Sequence, residues 1–138
     1  MAGRTVLLIE EDADVRRRVT KYLEEAGFSV VAVSESESAL LGFEYIAPDV
    51  VLVAYPIGGR ASDDVAAWVR NSSRPATPVV AMFPFPQRRV AMKALADGCV
   101  DVIPKPVDRL LLEDLVKGLL QPRAAPRRDP SKDIRIAS

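Results

Sequence analysis

Few residues in this chain have side chains suited to chemistry, and they sit at the ends of short apolar runs. Glu10-Glu11 follows Val6-Leu7-Leu8-Ile9, and Lys105-Pro106 closes Val100-Asp101-Val102-Ile103-Pro104. Brought together, Glu10, Glu11 and Lys105 carry a net charge of −1. The lysine can then pair with a glutamate permanently, and a locked cluster of that kind needs no metal to neutralise it. Lys105 in a phosphate- or ligand-binding role is the alternative. A second constellation is Phe83-Pro84-Phe85-Pro86-Gln87-Arg88-Arg89. Two aromatics beside two arginines, Arg88 and Arg89, have the parts to stack on a base and clamp its phosphate. The same residues also make a stiff proline-rich turn into a solvated basic helix start, and both readings stand.

The elements that must position these residues follow from hydrophobic spacing. Short apolar runs alternate with helical patterns, the signature of βαβ units and a parallel sheet. Strands are expected over Thr5 to Ile9, Ser29 to Val33, Val50 to Val53, Val79 to Phe83 and Val100 to Ile103. Each is nearly continuous in apolar residues, as when helices cover both faces. Val15, Val19, Tyr22, Leu23 and Ala26 share one face of a first helix. Ala39, Leu40, Phe43 and Ile46 mark a second, which halts before Pro48, and a third runs from about Ser62 to Arg70. Ser62 with Asp63 and Asp64 suits its N-terminus. Gly27 and Gly98 fall where helices end in a left-handed cap.

Length and composition bound the rest. A chain of 138 residues is long enough for one domain with its own core. Cys99 is the single cysteine and cannot form an internal bridge. No apolar run approaches the ~20 residues of a membrane span, and no secretory signal is evident, so membrane insertion is not expected and the cytoplasm is. Residues 121–138 hold five basic and two acidic side chains, leaving a net −3 on residues 1–120. That balance argues against a strongly basic nucleic-acid-binding domain. The proline- and arginine-rich stretch after Leu120 cannot bury a core and is read as a flexible basic tail.

In order and spacing, residues 4 to 120 resemble a response regulator receiver domain of two-component signalling. The resemblance implies a flavodoxin-like (βα)5 fold with a five-stranded parallel sheet of order 2-1-3-4-5. It also implies that an acidic pair and an acceptor aspartate hold one magnesium ion at the C-terminal strand ends, where open α/β sheets place ligands. Glu10-Glu11 stands at the acidic pair. In Pro48-Asp49-Val50-Val51-Leu52-Val53-Ala54, however, the acceptor position is Ala54. A methyl group cannot attack phosphorus. Without the third carboxylate, the oxygen-rich geometry that magnesium needs is also lost, so no metal and no cofactor are expected. Removing that carboxylate relieves a repulsion of ~1–4 kcal/mol per close charge pair.

Other positions diverge with it. Phe83 matches the hydroxyl residue that contacts the phosphoryl group, Val102 matches the aromatic that rotates on activation, and Gly58 replaces a usual proline, whereas Lys105 is retained. An engineered Asp-to-Ala change in a conventional receiver would leave the hydroxyl and the aromatic in place, so natural degeneration accounts better for the set. Asp49 cannot stand in, because five residues at ~3.3 Å put it ~16 Å away with its side chain on the opposite face.

These residues together point to a phosphorylation-independent, single-domain response regulator: not an enzyme, but a protein-interaction module in bacterial signalling or cell organisation. The resemblance implies that the fourth helix, fifth strand and fifth helix form the face for homodimers or partners. On the last helix Leu111, Leu112, Leu115, Val116, Leu119 and Leu120 spread over about half the circumference, wider than the ~100° stripe that covers a core. Leu111, Leu115 and Leu119 are therefore interface candidates, with Trp68 on the third helix as another. The tail folding back over that helix is the plain alternative. The competing function is a small-ligand receptor in which Arg88 and Arg89 hold a nucleotide such as a cyclic dinucleotide.

Overall fold

Runs of β-branched and aliphatic residues build the five strands in the computed structural model, which describes residues 4–56, 61–121 and 130, and the side chains of all of these except 61–64. The order is β1 (Thr5–Ile9), α1 (Ala13–Glu25), β2 (Ser29–Val33), α2 (Ser36–Ile46), β3 (Val50–Ala54), α3 (Ala61–Arg70), β4 (Val79–Pro84), α4 (Arg88–Ala96), β5 (Asp101–Lys105) and α5 (Arg109–Leu120). The strands form one parallel sheet in the order β2-β1-β3-β4-β5. This is the expected flavodoxin-like topology. Gly58, the Ser62-Asp63-Asp64 helix start and nearly all of the tail fall outside the described residues or side chains.

Alternation along the strands divides the core in two. Leu7, Ile9, Val51, Val53, Ala81 and Phe83 point to the side covered by α2, α3 and α4. Val6, Leu8, Leu52, Ala54, Val80 and Met82 point to the side covered by α1 and α5. The central strands are buried on both faces, as parallel strands usually are. The edge strand β2 departs from that expectation, because Ser29 and Ala32 are exposed where no further strand or helix covers them. Strands β4 and β5 run further than their apolar stretches, pairing Phe83 with Pro104 and Pro84 with Lys105. Proline is tolerated there because β5 is an edge strand.

Local signals fix the helix ends. Asp12 caps α1, its carboxylate accepting from the Asp14 and Val15 backbone N–H groups at 2.9 and 3.1 Å. Those bonds, Val15's foremost, hold its carboxyl below the ordinary range. Asp108 caps α5 in the same way through the Leu111 N–H. Gly27 and Gly98 take φ values of +99° and +116° as the chain leaves α1 and α4. At Gly98 a Cβ would also lie 2.5 Å from the Arg70 guanidinium, but that flexible side chain can swing aside, so the positive φ is what calls for glycine. Asp49 ties the starts of β1 and β3 together, its carboxylate accepting from the Thr5 N–H while its own N–H donates to the Thr5 carbonyl.

Candidate functional site: the C-terminal strand edge and its flanking corner

The turn after β1 and the end of β5 converge on one ion pair. Glu10 is buried, and its Oε1 lies 2.6 Å from Lys105 Nζ. Oε1 has no aligned hydrogen-bond donor, whereas Oε2 accepts from the Asp12 N–H at 3.0 Å. Arg16 braces the same turn from α1, donating to the Glu10 and Glu11 carbonyls. Glu11, by contrast, is exposed. The acidic pair is thus split: one carboxylate faces the lysine from a buried position, and the other lies at the surface. The Lys105–Pro106 peptide bond is cis.

Ala54 ends β3 with its methyl group buried on the α1/α5 side of the sheet, among Leu8, Met82 and Ile103. Phe83 and Val102 are buried on the opposite side. Neither supplies a polar side-chain atom to the edge. Among the described residues, no group of three or more His, Cys, Asp or Glu side chains is arranged to hold a metal ion.

A cluster that sequence reasoning did not single out lies next to this edge. Tyr55, the residue after Ala54, is buried, and its hydroxyl donates to Asp97 Oδ2 at 3.0 Å, tying the end of β3 to the end of α4. Lys93 pairs with the same carboxylate at 3.1 Å. Cys99 beneath them is buried, and its thiol is pushed up to about 12, by burial first and then by Asp97, against a smaller opposing effect of the Tyr55 hydroxyl. Lys93 and Asp97 stand at i,i+4 spacing on and just after α4, but sequence spacing carries no signal that Tyr55, 42 residues before Asp97, joins them.

The apolar helix α5 resolves differently from its wheel. Leu112, Leu115 and Val116 are buried against the sheet and α1, and Leu119 and Leu120 pack partly against the same core. Leu115, expected at an interface, is a core residue with only 9% of its surface exposed, because α1 as well as the sheet packs on this side of α5. Leu119 is likewise committed to the core margin. The surface share falls to Leu110 and Leu111 in the first turn, exposed at 58% and 39%. Trp68 is half-buried, packed edge-to-face on Phe43 with ring centroids 5.1 Å apart, so its ring joins α3 to α2.

Leu110 and Leu111 have exposed neighbours at the same end of the sheet. The loop after β4 is tied to β5 by the Phe85 N–H donating to the Lys105 carbonyl, and the Phe85 side chain is exposed. Arg88 and Arg89 open α4 in solvent, with Met92 exposed one turn on. Gln87, Arg88, Arg89, Val90 and Met92 line an open depression of about 630 Å³. The expected arginine pair is therefore accessible, at the same end of the sheet as the exposed first turn of α5.

A five-stranded parallel α/β sheet with a glutamate–lysine pair at its C-terminal edge defines a receiver-type domain. The chain belongs to the response regulator receiver domain family, whose sequence profile matches residues 6–117. It is 28% identical over 132 residues, 96% of its length, to the DNA-binding transcriptional regulator NtrC of Rhizobium meliloti, and 30% identical over 131 residues to the regulatory protein AtoC of Escherichia coli. It spans 26% of the former and 27% of the latter. Among solved structures, a response regulator of Chloroflexus aurantiacus superposes with a TM-score of 0.81 at 21% identity, covering 86% of this chain and 98% of that one. A response regulator protein of Burkholderia multivorans, at 26% identity, gives 0.72 and covers 88% and 98%. The chain is thus a receiver domain of two-component signalling, and no helix among its described residues is long and apolar enough to cross a membrane.

Proposed function

We propose that this receiver works without phosphorylation, as a protein-interaction module of bacterial signalling or cell organisation in the cytoplasm, and that it is not an enzyme. The observation that carries this reading is the buried Ala54 methyl at the end of β3, where a phosphorylatable receiver needs a nucleophilic carboxylate. The Glu10–Lys105 contact supports it, since the one buried carboxylate at this edge already faces a cation. Phe83 and Val102 support it from the other side. A phosphoryl-driven switch needs contacts that differ between two states, and these two buried apolar side chains offer no hydroxyl to follow the phosphoryl group and no polar ring to turn. Binding is assigned to the α4–β5–α5 corner, where Phe85, Leu110 and Leu111 are exposed beside Arg88 and Arg89. Aromatic residues, methionine and arginine are enriched at protein interfaces, and Phe85, Met92, Arg88 and Arg89 supply them on this surface.

The test is affinity capture from the native cell with the wild-type chain and with Leu110→Glu/Leu111→Glu. The double variant should fold normally and lose its partner, whereas a folded variant that retains every partner would remove the corner from the account. The open depression beside Arg88 and Arg89 also favours a second reading, a nucleotide-binding receiver. A nucleotide panel in a thermal-shift assay separates the two, because a ligand at 100 times its Kd stabilises by ~2.7 kcal/mol.

A further inference from the structure

Helix α2 presents an outward ridge that the core does not use. Ala39 and Phe43 face inward, while Leu41 and Tyr45, one turn apart, are 90% and 96% exposed. Glu37 and Glu44 are exposed on the same side. From Tyr22 to Gly59 the chain contains six acidic side chains and no lysine or arginine, so the ridge lies in a wholly acidic stretch. Two large apolar side chains this exposed, adjacent on one helix face and rimmed by one sign of charge, are available for a contact.

The α4 depression has the complementary character. Its apolar lining is Val90 and Met92, and its charges are Arg88 and Arg89, neither in an ion pair among the described residues. The first turn of α4 contains no acidic residue to offset them, and the helix N-terminus adds further positive potential. The ridge and the depression lie far apart on the domain: α2 packs on β1 and β2, whereas α4 packs on β4 and β5 at the other edge of the sheet. Within one chain they cannot meet.

We propose that the two surfaces are halves of one contact, and that the α2 ridge of one copy seats in the α4 depression of the next. Leu41 and Tyr45 enter against Val90 and Met92, while Glu37 and Glu44 face Arg88 and Arg89; the Tyr45 ring can also lie against a guanidinium. Because different patches meet from opposite edges of the sheet, the contact is heterologous and adds copies head to tail instead of closing a symmetric pair. The occupant is a second copy because this chain itself carries both the acidic apolar ridge and the basic apolar depression. A contact made by one helix face is small, so the assembly is a weak one that grows with concentration and weakens with salt. This inference rests on the reading of the corner as a protein-binding surface and names its partner.

The experiment is sedimentation velocity of the full 138-residue chain over a concentration series at low and high salt. Three samples are compared with wild type: Leu41→Ser/Tyr45→Ser, Arg88→Ser/Arg89→Ser, and a 1:1 mixture of the two. All four side chains are exposed, and circular dichroism verifies folding. Wild type should form species that lengthen with concentration and dissociate in salt, and each double variant should stay monomeric. The mixture should form heterodimers and nothing larger, since one intact ridge meets one intact depression. Dimerisation of the ridge variant alone, or failure of the mixture to pair, overturns the head-to-tail contact. A wild-type chain that is monomeric throughout overturns it too. Capture of cellular partners by the corner, run in parallel, then shows whether the interaction reading stands without self-assembly.

Discussion

The strand-edge pocket and the neighbouring corner are built within a few residues of each other, yet they treat charge and apolar surface in opposite ways. At the strand edge Glu10 is buried and already faces Lys105, Ala54 is buried on one side of the sheet, and Phe83 and Val102 are buried on the other. At the corner Phe85, Leu110 and Leu111 are exposed and Arg88 and Arg89 stand in solvent. A buried carboxylate already facing a cation has little left to offer a ligand, while exposed apolar side chains near solvated arginines leave surface on which a partner can dock. On the function proposed above, binding uses the surface beside this strand edge and not the edge itself.

Removing Lys105 breaks the comparison most severely. Lys105→Met leaves Glu10 buried with only the Asp12 N–H for company, and truncating one member of a buried pair costs about 3–5 kcal/mol. Equilibrium denaturation should show that loss, with much of it recovered in Glu10→Gln/Lys105→Met. If Lys105→Met were neutral, the pocket would not be held closed by the pair.

The boundary between core and corner can be sharpened on one helix. Leu115→Ala should cost about 2–5 kcal/mol, as for buried leucines generally, while Leu111→Ala, whose side chain is exposed, should stay within about 0.5 kcal/mol. Equal costs would mean that the exposed turn of α5 is part of the core.

The smallest effect concerns the underside of the corner. With its thiol raised from 9.0 to about 12 in the fold, Cys99 contributes stability that is complete below pH 9 and is lost as pH rises through about 12. At neutral pH the native thiol should therefore resist iodoacetamide and react only once the chain unfolds. Rapid native alkylation would show that α4 does not cover it.

Much of this was legible before the fold was seen, for reasons that are local. Strand positions followed from β-branched runs and Gly27 and Gly98 from the left-handed backbone that ends a helix, whereas the Glu10–Lys105 meeting was implied by the receiver-family resemblance. The exposed arginines could also be read directly, since they open a helix after two prolines. Leu115 was misread because a helical wheel gives the width of an apolar arc but not how many neighbours press on it, and α5 packs on α1 as well as on the sheet. Trp68 against Phe43 and Tyr55 against Asp97 depend on which helices lie side by side, which spacing along the chain does not encode. The α2 ridge escaped notice for a related reason. Leu40 and Leu41 are adjacent leucines on a short helix, and only packing shows that the second points away from the sheet.

The most direct test of the account is intact-mass spectrometry of the chain after incubation with acetyl phosphate and magnesium. With a methyl group at position 54 and Glu10 facing Lys105, the mass should not change. A stoichiometric, hydroxylamine-sensitive phosphoryl adduct on the folded chain would contradict it, and would show a working acceptor carboxylate in this receiver.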